Sequence, residues 1–115
     1  MSLAEKVQSL FGLKRPKHRN EFIRRMLRKQ GQSIRKTRLV DHRATFQTKG
    51  QADAFKTFVK YRGYEIVDTD EDTAVAFQRE SKIVGADFDR ETDILAEQAE
   101  DLYGQYDGFG NVSLR

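Results

Sequence analysis

Two periodicities alternate along this chain. Around Phe22 the apolar residues recur at helical spacing. At about 100° per residue, Phe22, Ile23, Met26 and Leu27 share one face, and Arg24, Arg25, Arg28 and Lys29 share the other. Asn20 is suited to cap that helix, Glu21 sits favourably in its first turn, and Gly31 is placed to end it. Leu39 to Thr48 alternates with period two instead. Val40, Ala44 and Phe46 lie on one side, and Asp41, Arg43 and Thr45 on the other, which predicts a strand with one wet face. Thr48, followed three residues later by Gln51, forms a capping-box pattern. It opens a predicted helix that buries Ala52, Phe55, Phe58 and Val59, with Gly63 as its left-handed C-terminal residue. Tyr64 to Val67 and Thr73 to Gln78 read as a hairpin joined by the acidic loop Asp68-Thr69-Asp70-Glu71-Asp72. A long helix is expected from about Asp87 to Tyr103, with Leu95, Ala99 and Leu102 inward, Ile94 and Phe88 flanking them, and Gly104 ending it. Asp87, Asp89, Glu91 and Asp93 lie near its positive end. Tyr106 to Leu114 is the last strand. Upstream, Leu3, Val7, Leu10 and Phe11 suggest a short leading helix stopped by Gly12 and Pro16, and Lys14 to Arg19 reads as a basic linker.

In order these elements are a helix followed by β-α-β-β-α-β. Two crossovers around an antiparallel sheet predict an α+β fold of the ferredoxin-like, split βαβ kind. Its two domain helices would pack on one face, leaving the other open or covered by the N-terminal segment. Residues 1–19 are expected to be a loosely attached basic segment, and residues 20–115 a single domain. The chain has 115 residues, enough for one modest core.

Charge changes this picture more than composition does. Residues 1–50 hold fourteen Lys/Arg against the acids Glu5, Glu21 and Asp41, a net of +11. Residues 51–115 hold seven Lys/Arg against fifteen Asp/Glu, a net of −8, so the overall +3 hides a dipolar molecule. Such a molecule draws polyanions to one end and basic partners to the other, with strong salt dependence. The absence of cysteine excludes disulfides, thiolate metal sites and cysteine nucleophiles, and fits a reducing cytosol. No apolar run approaches ~18 residues, so no membrane-spanning helix is expected, and the N-terminus lacks the features of a secretory signal.

Candidate chemistry is sparse. The bases Arg24, Arg25, Arg28, Lys29, Arg35, Lys36 and Arg38 could track phosphates, and the alternative is a solvated helix face. The third strand offers Phe77 with Val75 on one row and only Ala74 with Ala76 on the other, which cannot stack bases. Asp68, Asp70, Glu71 and Asp72 lack the rest of a calcium loop. His18 and His42 have no ligand partners spaced around them, and His42 shares the inward row of Val40, Ala44 and Phe46. Glu97, Glu100 and Asp101 read as a wet face, or a docking face for a basic partner. Tyr106-Asp107-Gly108-Phe109-Gly110 suits either a recognition loop or a bulge that lets Tyr106 and Phe109 pack inward. No nucleophile–base or paired-carboxylate arrangement follows from spacing, so no catalytic residue, cofactor or metal is expected.

Together, the helix Phe22-Ile23-x-x-Met26-Leu27 ending at Gly31, the strand Asp41-His42-Arg43-Ala44-Thr45-Phe46, Gly63-Tyr64-Glu65-Ile66, and Leu95-Ala96 through Leu102 followed by Tyr106-Asp107-Gly108-Phe109-Gly110 resemble the regulator of ribonuclease E activity B (RraB) family over residues 20–114. The resemblance implies a ferredoxin-like domain without an active site, similar to a cytoplasmic protein that binds ribonuclease E and inhibits it. Gly63, Tyr64, Tyr106, Asp107, Gly108 and Phe109 would then be pattern residues with structural roles. The best-known members are acidic along the N-terminal helix and carry an acidic tail. Here that helix is basic, so the resemblance carries the fold further than the partner. The expected function is non-enzymatic regulation of RNA decay through a protein partner. A nucleic-acid-binding module using the basic half is the alternative, and self-association a third.

Overall fold

The computed structural model describes residues 16–31 and 34–114. Over these residues it is an α+β fold of three helices and one antiparallel four-stranded sheet: α1 (Pro16–Lys29), β1 (Arg38–Thr45), α2 (Lys49–Tyr61), β2 (Glu65–Val67), β3 (Ala74–Ser81), α3 (Ala86–Asp101) and β4 (Gln105–Leu114). The sheet order is β2-β3-β1-β4, so the connections through α2 and α3 each pass over one strand. Arg38 of β1 pairs with Ser81 of β3, and Thr45 pairs with Ala74. The expected leading helix through Phe11 lies outside the described residues.

Local signals explain most boundaries. The Thr48 hydroxyl accepts the Gln51 backbone N–H at 3.2 Å, and the Thr48 backbone N–H donates to the Gln51 side chain at 3.1 Å, completing the expected capping box of α2. At the other end Gly63 (φ +88°) is left-handed. The Gly63 N–H bonds to the Lys60 carbonyl and the Tyr64 N–H to the Val59 carbonyl, a Schellman turn. The end of α3 has the same hydrogen bonds, Tyr103 N–H to Glu100 and Gly104 N–H to Ala99. Here the left-handed residue is Tyr103 (φ +59°), whereas Gly104 was expected to end this helix. Gly104 answers to a different constraint. A Cβ there would lie 2.2 Å from the Phe46 ring and 2.5 Å from the Thr45 carbonyl oxygen, so the helix end can approach β1 only without a side chain.

Inward rows of the sheet and the two domain helices form one core: Ala44, Phe46, Val75, Phe77 and Tyr106 from the sheet side, Ala52, Phe55 and Val59 from α2, Leu95 and Ala99 from α3. Each fully buried large apolar side chain there contributes about 1.5–3 kcal/mol. A second cluster joins Ile23 and Ile34 to Val40, Ile83, Phe88 and Phe109. Val40 and Phe109 lie on the same sheet face as the main core, so α1 extends the helix layer and does not cover the opposite face. That face carries Ala74, Ala76 and Gln78 along β3, which offer no ring for base stacking.

Two expectations about the N-terminal region are corrected. The segment Lys14 to Arg19 was expected to be a linker, but the helix already begins at Pro16, a residue whose missing N–H is no loss at a first helical position. Asn20 is therefore not a cap. It lies inside α1, buried, and donates through its side-chain amide to Thr92 (2.7 Å) and Asp89 (3.1 Å) on α3.

Candidate functional site

The linear charge split becomes a spatial one because of how β1 runs. The acidic β2–β3 loop lies where Thr45 pairs with Ala74, and the C-terminal end of α3 lies at the same end, where Gln105 pairs with Thr45. Asp68, Asp70, Glu71 and Asp72 of that loop, and Glu97, Glu100 and Asp101 of α3, are all exposed. Few bases relieve them; Arg43 reaches Glu71 at 3.7 Å. At the opposite end of β1 are Arg35, Lys36 and Arg38, Lys82 just beyond Ser81, and the docked α1.

The seven candidate bases separate into two groups. Arg25, Arg28, Lys29, Arg35 and Lys36 are exposed. Arg28 touches Glu21 at 3.4 Å in a surface pair that contributes little. Arg24 and Arg38 are buried, at 5% and 1% exposure, which corrects the assignment of Arg24 to the wet face of α1. Arg24 pairs with Asp89, donates to the Ile83 carbonyl, and reaches Glu21 at 3.2 Å. Hydrogen bonding from Arg24 holds the Glu21 carboxyl below its usual range. The buried residues Asn20, Ile23 and Arg24 follow i, i+3, i+4 spacing, so the helix is rolled to present a mixed face to α3. Arg38 is likewise engaged inside the fold. These two guanidiniums position elements, and the other five bases face solvent.

Sequence reasoning did not anticipate a polar cluster between α2, β3 and α3. Glu91 accepts two hydrogen bonds from Arg62, one of them from Nε at 3.1 Å, and one from the Tyr64 hydroxyl at 2.9 Å. Arg79 lies 3.6 Å from the same carboxylate, and its guanidinium sits 4.2 Å from the centre of the Tyr64 ring. Burial opposes the charge on Glu91, but the hydrogen bonds from Arg62 and Tyr64 and the two positive charges outweigh it, and its carboxyl stays below the usual range. None of its buried side-chain nitrogens and oxygens lacks a partner, so the cluster fixes the spacing between the end of α2 and α3.

His42 has the inward place expected of it. Its ring stacks on Phe77 at 5.1 Å, meets Tyr64 edge-on at 5.4 Å, and its Nδ1 lies 2.7 Å from the Tyr106 hydroxyl. Burial, with Arg79 adding to it, lowers its pKa to about 3, so the ring is neutral near pH 7.

The pentapeptide Tyr106–Gly110 forms a bulge. Arg43 pairs with Gly108 and Ala44 with Tyr106, leaving Asp107 as the extra residue of β4. Gly108 takes φ +108°, and Asp107 accepts from Thr45 Oγ1 at 3.3 Å and Gln105 Nε2 at 2.7 Å. Strict alternation would put Tyr106 and Phe109 on opposite faces. The extra residue turns both inward, Tyr106 onto His42 and Phe109 onto Phe88 at 5.0 Å. With Gly63 and Tyr64, these residues therefore hold the sheet and its helices in register.

Among the described residues no three or more His, Asp or Glu side chains converge as a metal site, and no helix is long and apolar enough to cross a membrane. What the surface offers is a pair of charged ends on a rigid sheet. Among curated proteins, none matches the chain. The family model described as Regulator of ribonuclease activity B, RraB, does match it, over residues 17–111, which runs from the first turn of α1 through the bulge of β4. The chain belongs to that family.

Proposed function

We propose that this protein is a non-enzymatic regulator that binds a ribonuclease E-type protein in the cytoplasm and modulates RNA decay. Family membership supports the regulatory role. We read the sheet order β2-β3-β1-β4 as the ferredoxin-like split βαβ scaffold, here used as a rigid support. The observation that carries the choice of surface is the exposed acidic end, where Asp68, Asp70, Glu71 and Asp72 of the β2–β3 loop lie at the same end of β1 as Glu97, Glu100 and Asp101 of α3. That end suits a basic segment of a partner, with the association accelerated by charge and weakened by salt.

The test is cleavage of a model RNA by a purified ribonuclease E-type enzyme with increasing amounts of this protein. Cleavage should slow as the protein is added, and the triple charge reversal E97K/E100K/D101K should relieve the inhibition. Unaltered cleavage at tens of micromolar protein would overturn the reading.

A further inference from the structure

We propose that the exposed bases Arg25, Arg28 and Lys29 of α1, with Arg35 and Lys36 on the approach to β1, form a second surface that binds the phosphate backbone of single-stranded RNA. The structure places all five in solvent, within a stretch from Asn20 to Val40 whose only acid is Glu21. Lys82, one residue beyond the Arg38–Ser81 pair, adds a further exposed base at this end. The platform is anchored on two sides. Arg24, Asn20, Asp89 and Thr92 hold α1 to α3, and buried Ile34 holds the link between α1 and β1. Bases presented from a fixed support lose less freedom on binding than bases on a loose arm.

The observations favour RNA over an anionic membrane. A helix that lies on lipid needs a free apolar stripe, and here Ile23 is buried while Phe22 and Leu27 are packed against the second core cluster. RNA is favoured over an acidic protein because the proposed regulatory role brings the molecule beside RNA, and this clause rests on that role. The sheet face away from the helices offers no ring for stacking along β3, where its row is Ala74, Ala76 and Gln78. Contact is therefore with phosphates, without sequence preference. The two ends of β1 would then serve different ligands: a basic protein segment at one and RNA at the other.

The test is fluorescence anisotropy of a labelled single-stranded RNA titrated with the full chain alone, so that the outcome is independent of any effect on a nuclease. Five phosphate contacts predict a slope of log affinity against log salt of about −3.5, or roughly 100-fold weaker binding at 200 mM than at 50 mM salt. Reversing three bases in R25E/R28E/K29E should bring the slope to about −1.4 and weaken binding at 50 mM salt by more than about tenfold. R35E/K36E should do the same to a smaller degree, and E97K/E100K/D101K should not weaken binding. Circular dichroism on each variant checks that these solvent-facing changes leave the fold intact. No binding at 50 mM salt, a salt-independent isotherm, or unchanged affinity in both reversal variants would overturn the proposal. Tighter binding of polyglutamate or of phosphatidylserine vesicles than of RNA would also overturn it, assigning the face to an acidic protein or a membrane.

Discussion

The two hydrophobic clusters of this molecule are built by different means. The main core, between the sheet and the helices α2 and α3, is closed by apolar and aromatic contacts, with Phe55, Val59, Val75, Phe77 and Leu95 fully buried. Among the described side chains of α1, only Ile23 joins the smaller cluster as a fully packed apolar residue, and Asn20 and Arg24 complete the contact through α3. The main core is non-directional and tolerates repacking, whereas the α1 attachment depends on the geometry of a few hydrogen bonds. His42 stands where they meet, touching Phe77 and Tyr64 on one side and Phe88 and Phe109 on the other.

The contrast can be broken first at the main core. Phe77→Ala should cost about 3–5 kcal/mol and unfold the whole chain cooperatively, read as one shifted denaturant midpoint by every probe. Arg24→Ala should cost less, about 2–3 kcal/mol, because Asp89 keeps some access to water when its partner is removed. Its signature is local: amide exchange should quicken in α1 and the first turn of α3 and stay slow across β1 and β3. If the exchange rises uniformly, the two clusters are one cooperative unit and the contrast fails.

Acid tests the seam between them. His42 has a folded-state pKa of about 3 against 6.5 when unfolded, so between those values the unfolded chain holds the extra proton. Its contribution is complete above pH 6.5 and declines as the pH falls, by about 2 kcal/mol between pH 7 and 5. Urea unfolding at the two pH values should show this loss, and His42→Gln should remove most of it. Glu91 has the opposite type of charge but the same direction of loss: its depressed carboxyl stabilises the fold above 4.5 and gives that up in stronger acid. The smallest effect separates the two Schellman turns. Gly63→Ala should destabilise by about 1 kcal/mol, and Tyr103→Gly should stabilise by about 0.5–1 kcal/mol, since exposed Tyr103 occupies a left-handed conformation with little packing to lose. Thermal midpoints moving in opposite directions would confirm this.

Local rules made most of the scaffold readable. The Thr48–Gln51 box, Gly63, the Val40–His42–Ala44 row and the acidic hairpin loop each declare themselves within a few residues, and they appear where such rules put them. The start of α1 was missed because Pro16 among bases reads as a linker from either side. Arg24 was placed in water because a helical wheel sees charge and not partners, and the groups that bury it, Ile83 and Asp89, are 59 and 65 residues away. A polar i, i+4 pair beside an apolar stripe, as in Asn20 and Arg24, is the local trace such an arrangement leaves. The Glu91 cluster left none, since Arg62 and Tyr64 come from the turn after α2, Arg79 from β3 and Glu91 from α3, and their meeting is decided by topology. The charge division was plain in sequence. That it runs end to end follows from the direction of β1, which only the strand pairing supplies.

The supernumerary residue at Asp107 makes the length of this strand as consequential as its composition. Set regularly into the ladder, Asp107 would carry Phe109 out to water and leave Phe88 and His42 facing an empty slot, whereas its deletion would leave Gly108 opposite Arg43 and Phe109 opposite His42. A replacement or a loss at 107 changes two polar contacts and the local bend; one further residue, in a ladder that keeps a single bulge, rewrites which half of β4 is interior. Among relatives of this chain, single-residue insertions between Gln105 and Gly110 should therefore be far scarcer than changes of residue type at 107 or its loss.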